Sequence, residues 1–380
     1  MVNICIDGNY IFHKTFGVFA GYSGIDPGKT LSDKKDRSLF IRKIATDLCS
    51  SLRDLPTGGR LVFTSDSRSW RKKIEIEGGG YKSDRVKDEN VDWTIFFDLL
   101  QEFGKHLEKM GFVYSKVEGA EGDDLLLYWS EYFNSIGENC FIISGDKDLY
   151  QLVKIKNNSW TCTWNSNSKR NILSIPKGWK ENWLENKSEA SIFNTLDFID
   201  SDKEKMSNLL NKIELIEIED KKFIFNKVLV GDKGDCVPSV WGTKKGEKIQ
   251  TFTQKKADII MESFIESEWY NKPIIEIIED SEFLNWISGF ILRTSKDVDS
   301  SENREKVTKN LIRNFNLMWL NSDMIPDYVT EEMEKEIKRG IELPKRNITI
   351  DRIKILEGTE WVSTENSTPK QFDPFSFFNS

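Results

Sequence analysis

The chain opens on Val2-Asn3-Ile4-Cys5-Ile6, a run of apolar and small residues with the make-up of a buried strand, and Asp7-Gly8-Asn9 closes it with residues that favour turns. The same order, an apolar run followed by an acid, recurs three times. Arg60 to Ser65 leads into Asp66, Phe112-Val113-Tyr114 leads towards Glu118 and Glu121, and Asn139 to Ser144 leads into Asp146. Between these runs, residues 40–52, 93–110 and 125–136 carry apolar positions at helical spacing; in the last, Leu125, Leu126, Trp129, Tyr132, Phe133 and Ile136 share a face. Alternating strands and helices predict an α/β fold, a mostly parallel sheet flanked by helices. In open sheets of this kind ligands bind beyond the carboxyl ends of the strands, where these acids fall. Acids that merely close strands in solvated loops would explain one such run, and strain at four.

Residues 155–225 are polar and show no readable motif. Residues 223–230 read as a strand or short helix before Gly231-Asp232-Lys233-Gly234-Asp235. Residues 257–286 and 329–339 read as helices, the second with Val329, Met333 and Ile337 four apart, so the later half is expected to form a smaller helical lobe. A length of 380 residues exceeds what one core usually serves, so two lobes, or one large α/β domain with additions, are expected. The expected division is a core over 1–230 with a mobile basic arch over about 67–92, a helical lobe over 231–355, and a flexible tail over 358–380.

At 38% hydrophobic and 12% aromatic residues the chain can bury a sizeable core, and no apolar run approaches the length needed to cross a bilayer. The start lacks the basic flank and cleavage site of a secretory signal, so a cytoplasmic location is expected. Of five scattered cysteines without a C-x-x-C pair, most read as small core residues. A net charge of −8 argues against coating nucleic acid by bulk charge, while leaving room for local basic tracks. With only two histidines, His13 and His106, metal chemistry would have to use carboxylates.

The acids that the pattern collects are Asp7, Asp66, Glu121, Asp123, Asp124, Asp146, Asp148, Asp232 and Asp235. Gathered at one edge, they would repel one another, raising pKa values or expelling side chains unless cations bind between them. All-oxygen sites suit Mg²⁺ or Mn²⁺. Two such ions roughly 3.5–4 Å apart form the clamp that stabilises attacking and leaving oxygens in phosphodiester hydrolysis. Metal-assisted phosphoryl transfer to water is therefore expected. Spacing puts Glu121 and Asp124 on one face at a helix start with Asp123 beside them, and Asp146 and Asp148 pointing the same way from extended backbone.

Residues 67–87 hold Arg68, Arg71, Lys72, Lys73, Lys82, Arg85 and Lys87 against Glu75, Glu77 and Asp84, a local +4, and Gly78-Gly79-Gly80 rules out a stable helix centre there. A second track, Lys244, Lys245, Lys248, Lys255 and Lys256 against Glu247, also sums to +4. Its lysines would contact duplex backbone without reading sequence. Gly28-Lys29-Thr30 is not assigned a nucleotide site, because Ser23 stands at the first glycine of a phosphate-binding loop and no strand immediately precedes it.

Taken together, Ile6-Asp7-Gly8-Asn9, Glu121-Gly122-Asp123-Asp124, Ser144-Gly145-Asp146-Lys147-Asp148 and Gly231-Asp232-Lys233-Gly234-Asp235-Cys236-Val237-Pro238 resemble the signature series of the 5′-nuclease, or flap endonuclease, superfamily. Within it the series resembles that of the T-even-phage type of ribonuclease H. The resemblance spans roughly residues 1–350. It implies a PIN-like core, two divalent ions, and cleavage of flapped or nicked DNA and RNA–DNA duplexes near a 5′ end to leave a 5′-phosphate. Asp7, Asp66, Glu121, Asp123, Asp146 and Asp148 would bind the metals directly or through water, and Asp124, Asp232 and Asp235 would complete the acidic site.

Tyr81-Lys82-Ser83-Asp84-Arg85 resembles the family's element whose Lys and Arg reach the scissile phosphate, giving Lys82 and Arg85 a catalytic role. Arg71, Lys72 and Lys73 join the arch's DNA contacts, and His13 stands where relatives often place an aromatic that stacks on a base. The family's duplex-gripping helix-three-turn-helix, expected over 231–265, is modified here: Val240 to Gly246 replaces its glycine-rich turn, with extra residues before Phe252. Gln371 with Phe377-Phe378 is similar to peptides that bind sliding clamps, although Pro374 replaces the usual aliphatic residue; a clamp or a single-strand DNA-binding protein is the implied partner. The resemblance thus points to a stand-alone, monomeric enzyme in the host cytoplasm that removes RNA primers during phage DNA replication. Two other readings share parts of the pattern: a non-catalytic DNA-junction binding module, and a PIN-type single-strand ribonuclease.

Overall fold

In a computed structural model of the chain, residues 1–23, 31, 33–52, 55, 58–76, 79–83, 89, 91–166, 171–179, 213–245 and 248–344 are described. They form two compact units. One comprises Met1–Ser69, Lys87–Ile218 and the residues from Ile325 on, and the other Trp70–Val86 and Glu219–Met324.

The first unit is built on β1 (Val2–Asp7), β2 (Leu61–Thr64), β3 (Val113–Ser115), β4 (Asn139–Ile143), β5 (Lys154–Lys156), β6 (Ser159–Ser166), β7 (Asn171–Pro176) and β8 (Ile213–Ile218). Their order across the sheet is β8-β7-β6-β4-β1-β2-β3, with β5 paired to β6. From β6 through β4, β1 and β2 to β3 every pairing is parallel, and β5 and β7 run antiparallel to β6. The mostly parallel sheet is therefore as the pattern predicts.

The first four helices are α1 (Gly8–Ser23), α2 (Lys34–Leu52), α3 (Trp93–Met110) and α4 (Gly122–Ser135). Helix α3 begins where Asp92 accepts bonds from the backbone of Thr94 and Ile95, and ends at Gly111, whose φ of 106° suits glycine. Its buried face, including Phe96, Leu99, Phe103 and Leu107, meets Phe12, Phe40 and Phe63 in one core. Four cysteines are buried as expected, and Cys236 is half-buried.

The C-terminal helix, Asp327–Glu342, belongs to this unit and not to the helical one, correcting the expected division. It packs along β3 and α4 with Val329, Met333, Ile337 and Gly340 inward. A Cβ at Gly340 would come within 2.7 Å of both Val113 and Trp129, so glycine is what lets the helix approach so closely. The Arg60 guanidinium donates to the carbonyls of Gly340, Ile341 and Leu343, filling the open acceptors of the helix end. Arg60→Ala should lower stability by about 2 kcal/mol, the cost of losing bonds to a charged donor. Urea unfolding monitored by far-ultraviolet dichroism would show it; an unchanged midpoint would mean that the carbonyls find water at no cost.

The second unit holds α5 (Asp220–Val230), α6 (Gln254–Ile265), α7 (Ile274–Glu279), α8 (Ser281–Ser295) and α9 (Ser301–Met318). Phe225, Phe264, Phe283 and Phe315 pack at its centre in tilted and edge-to-face pairs, Phe225 and Phe264 with ring centroids 4.4 Å apart. Where the helix-three-turn-helix is expected, an antiparallel hairpin, β9 (Gly242–Lys245) with β10 (Lys248–Thr251), stands between α5 and α6. The segment that replaces the glycine-rich turn supplies the first of these strands, and the extra residues before Phe252 supply the second. Of the arch expected over about 67–92 as part of the α/β core, Trp70–Val86 groups with this unit, and Ile76 and Tyr81 bury in the helical core. Among the described residues, no helix is long and apolar enough to cross a membrane.

Candidate active site at the carboxyl edge of the sheet

Strand β1 lies between β2 and β4, and the three run parallel with Asp7 paired to Thr64 and Ile6 to Ile143. Their carboxyl ends therefore align, and Asp7, Asp66 and Asp146 follow from them. Glu121, beyond β3, heads α4. Helix α1 starts at once after β1, because Asp7 Oδ1 accepts the backbone N–H of Tyr10 at 2.9 Å. Gly8 and Asn9, read from the sequence as turn residues, are instead its first residues. A Cβ at Gly8 would lie 2.4 Å from the Thr64 carbonyl, so only glycine lets the helix leave the sheet there.

Asp7 is 7% exposed, and its Oδ2 accepts the Ser144 hydroxyl at 2.8 Å. The same Ser144 oxygen accepts the N–H of Asp146 at 3.0 Å, so one hydroxyl links two acids. Burial pushes the Asp7 carboxyl up to about 7; the Tyr10 and Ser144 bonds oppose this, and the charges of Asp66 and Asp146 add to it. Asp66 is exposed, with Oδ1 accepting from Gly122 N at 2.6 Å and Oδ2 from Asn9 Nδ2 at 2.8 Å.

The Glu121 N–H donates to Asp124 Oδ2 at 3.0 Å, so fully buried Asp124 turns back to cap α4, while Asp123 is half-buried on the same turn. Asp146 caps a 3₁₀ helix, Lys147–Leu152, by accepting Asp148 N–H at 2.8 Å. The extended backbone expected between these two acids is thus a helix start, since the Asp146 side chain competes successfully for the backbone donor.

Asp232 and Asp235 lie in the other unit. Although burial opposes it, Lys227, 3.2 Å away, and the N–H groups of Gly234 and Asp235 hold the Asp232 carboxyl below its ordinary range. In the same unit Tyr81 Oη donates to Asp235 Oδ2 at 3.2 Å and Lys82 N to the Asp235 carbonyl at 2.9 Å. These bonds join two stretches separated by more than a hundred residues in sequence. Lys82, at φ 57°, places its Nζ 4.8 Å from the Tyr81 ring centroid.

Lys72, Lys73 and Lys255 are exposed and Lys256 is half-buried. Arg71 is not available to a duplex as expected: it is 1% exposed, its guanidinium 4.6 Å from the Trp70 ring centroid. His13 is exposed beside Trp93, Phe96 and Phe97. Lys244, Lys245 and Lys248 lie in β9 and β10, their side chains outside the described ones. Arg85, Gly28 to Thr30, and Gln371, Phe377 and Phe378 lie outside the described residues. Two residues that the sequence reading missed are Asn9 and Ser144. Both are uncharged, and their signal is their place in the quoted motifs, two after Asp7 and two before Asp146.

Residues 3–183 match the 5′-3′ exonuclease N-terminal, resolvase-like domain. This match takes in just under half of the chain. The fold of the chain is similar to that of the bacteriophage T5 5′-exonuclease with divalent zinc bound, and to that of a T5 protein co-crystallised with metal ions. Each is 15% identical, with 90% of this chain and 99% of the other covered and a TM-score of 0.50. No curated protein sequence matches the chain significantly. The carboxyl-edge acids form a donor set of oxygens alone, which fits a hard divalent cation. Without one, Asp7 holds its proton up to near-neutral pH.

Proposed function

We propose that the chain is a divalent-metal-dependent, structure-specific 5′-to-3′ nuclease acting near the 5′ ends of flapped or nicked DNA and RNA–DNA duplexes. The observation that carries this reading is the convergence of Asp7, Asp66 and Asp146 from three neighbouring parallel strands, with Glu121 at the adjacent helix start. Asp7, Asp66, Asp146 and Glu121 would hold Mg²⁺ or Mn²⁺, whose chemistry there is activation of the attacking water and relief of charge on the phosphate. Ser144 keeps Asp7 and Asp146 at a fixed spacing. Exposed Lys72, Lys73 and Lys255 offer cations to a phosphate backbone without regard to base sequence. Release of a 5′-phosphate and removal of RNA primers during phage replication are the biological form of this activity.

The test is cleavage of a 5′-labelled flap and of a nicked RNA–DNA/DNA duplex with Mg²⁺, with EDTA, and with Asp146→Asn. Short 5′-phosphorylated products should appear with Mg²⁺ alone and vanish in the variant. Junction binding without cutting under any divalent metal would instead make the chain a binding module.

A further inference from the structure

We propose that Asn9 is a positioning residue for Asp66 and sets the affinity of the carboxyl edge for divalent cations. The inference rests on the metal-dependent reading above. Asn9 Nδ2 donates to Asp66 Oδ2 at 2.8 Å, and Asp66 N donates to Asn9 Oδ1 at 3.0 Å. Both ends of one amide are thus committed to one residue, which fixes the amide's orientation. Turned over, it would set N–H against N–H and oxygen against carboxylate.

Asp66 stands on an exposed segment beyond β2, where a carboxylate is otherwise free to turn about its side-chain torsions. Asn9 takes one of its oxygens and Gly122 N takes the other at 2.6 Å, so the group is held from α1 and α4 together. Because Asn9 lies two residues after Asp7 in the first turn of α1, the grip also ties Asp66 to the strand end that carries Asp7. An acid held in place loses less freedom when a cation binds, and partners behind a ligand commonly govern affinity. The residue type matters. Asparagine donates to Asp66 without adding charge, whereas an aspartate there would set a second carboxylate against it.

The test is calorimetric titration of the full chain with Mn²⁺ alone at pH 8, for wild type, Asn9→Ala, Asp66→Ala and the double variant. Asn9→Ala should weaken Mn²⁺ binding about 10- to 100-fold. Made on top of Asp66→Ala, the same substitution should change affinity less than about twofold, because its target is gone. Unchanged affinity in Asn9→Ala overturns the proposal, as does an equal loss with and without Asp66. Asn9→Ser, which keeps a small polar group at the helix start, serves the same comparison should the alanine variant fail to fold. Wild type that takes up no Mn²⁺ overturns the metal-dependent reading and this inference with it; wild type that binds while Asn9→Ala binds equally overturns the positioning role alone.

Discussion

Asp7→Asn should abolish cleavage and, in EDTA, make the protein more stable than wild type at pH 8. The wild-type carboxyl is pushed up to about 7 from an ordinary 3.8, chiefly by burial. Between those values the folded protein keeps a proton that the unfolded chain releases. Stability is therefore lost as pH rises from about 4 to 7, and the loss is complete above 7. The gap corresponds to roughly 4 kcal/mol. Asparagine has nothing to ionise and still offers an oxygen to Tyr10 N, so it escapes the loss. Its advantage should widen by about 2 kcal/mol between pH 5.5 and pH 8 in denaturant unfolding with EDTA. An advantage independent of pH would show that Asp7 is ionised without strain. Cleavage should fall about a thousandfold or more, since a metal clamp supplies several kcal/mol of charge stabilisation. A substitution that stabilises the metal-free fold while removing activity would mark the acids as a cost that the fold bears for its site.

Gly145→Ala should reduce cleavage about a hundredfold and cost about 1–3 kcal/mol of stability. A Cβ at 145 would lie 2.5 Å from Tyr10 Cε2 and Oη, too close for any contact to survive. The ring cannot easily swing aside. Tyr10 is held at its backbone by Asp7, at 2.9 Å, and at its hydroxyl by Asn165 Oδ1, also at 2.9 Å. The strain must then move either Tyr10, and with it Asp7, or the segment that carries Asp146. Steady-state cleavage kinetics would register the loss, and adding Tyr10→Leu should recover part of it by making room. A Gly145→Ala enzyme as fast as wild type would mean that the segment adapts without disturbing the acids.

The strands that carry the acids were legible because each is an apolar run ended by a charged residue, and the helices because their apolar faces repeat. The region from 155 to 225 was not. In β6 the residues Ser159, Trp160, Thr161, Cys162, Thr163 and Trp164 are all buried, so both faces of the strand are covered. Its hydroxyl residues look polar in a sequence, yet Thr161 pairs with the Asn134 side chain at 2.9 Å inside the core. Strand β8 carries exposed Glu214 and Glu217 among its apolar residues, three apart and so without the strict alternation of a strand, and it lies at the sheet's edge, where polarity is tolerated.

The C-terminal helix was recognised from Val329, Met333 and Ile337, but periodicity names a face and not the surface it meets. Its partner, β3, precedes it by more than two hundred residues. Arg71 was misplaced for a related reason: a basic stretch shows how many cations it has, and only packing shows which of them bury. Asn9 and Ser144 stand inside the motifs around Asp7 and Asp146, but as uncharged residues nothing in their type marks them as partners of Asp66 and Asp7.

The run of the C-terminal helix gives the first unit a practical polarity. Val329 packs beside Gly119, past the carboxyl end of β3, while Gly340 lies against Val113 at that strand's beginning and Arg60 closes the helix end. Sixteen residues of helix span about 24 Å. An affinity handle or fluorophore joined just after Glu342 would thus be rooted at the rim of the sheet opposite to Asp7, Asp66 and Asp146. Immobilised by that end, the protein would present its acids outward, an orientation suited to watching single molecules cut.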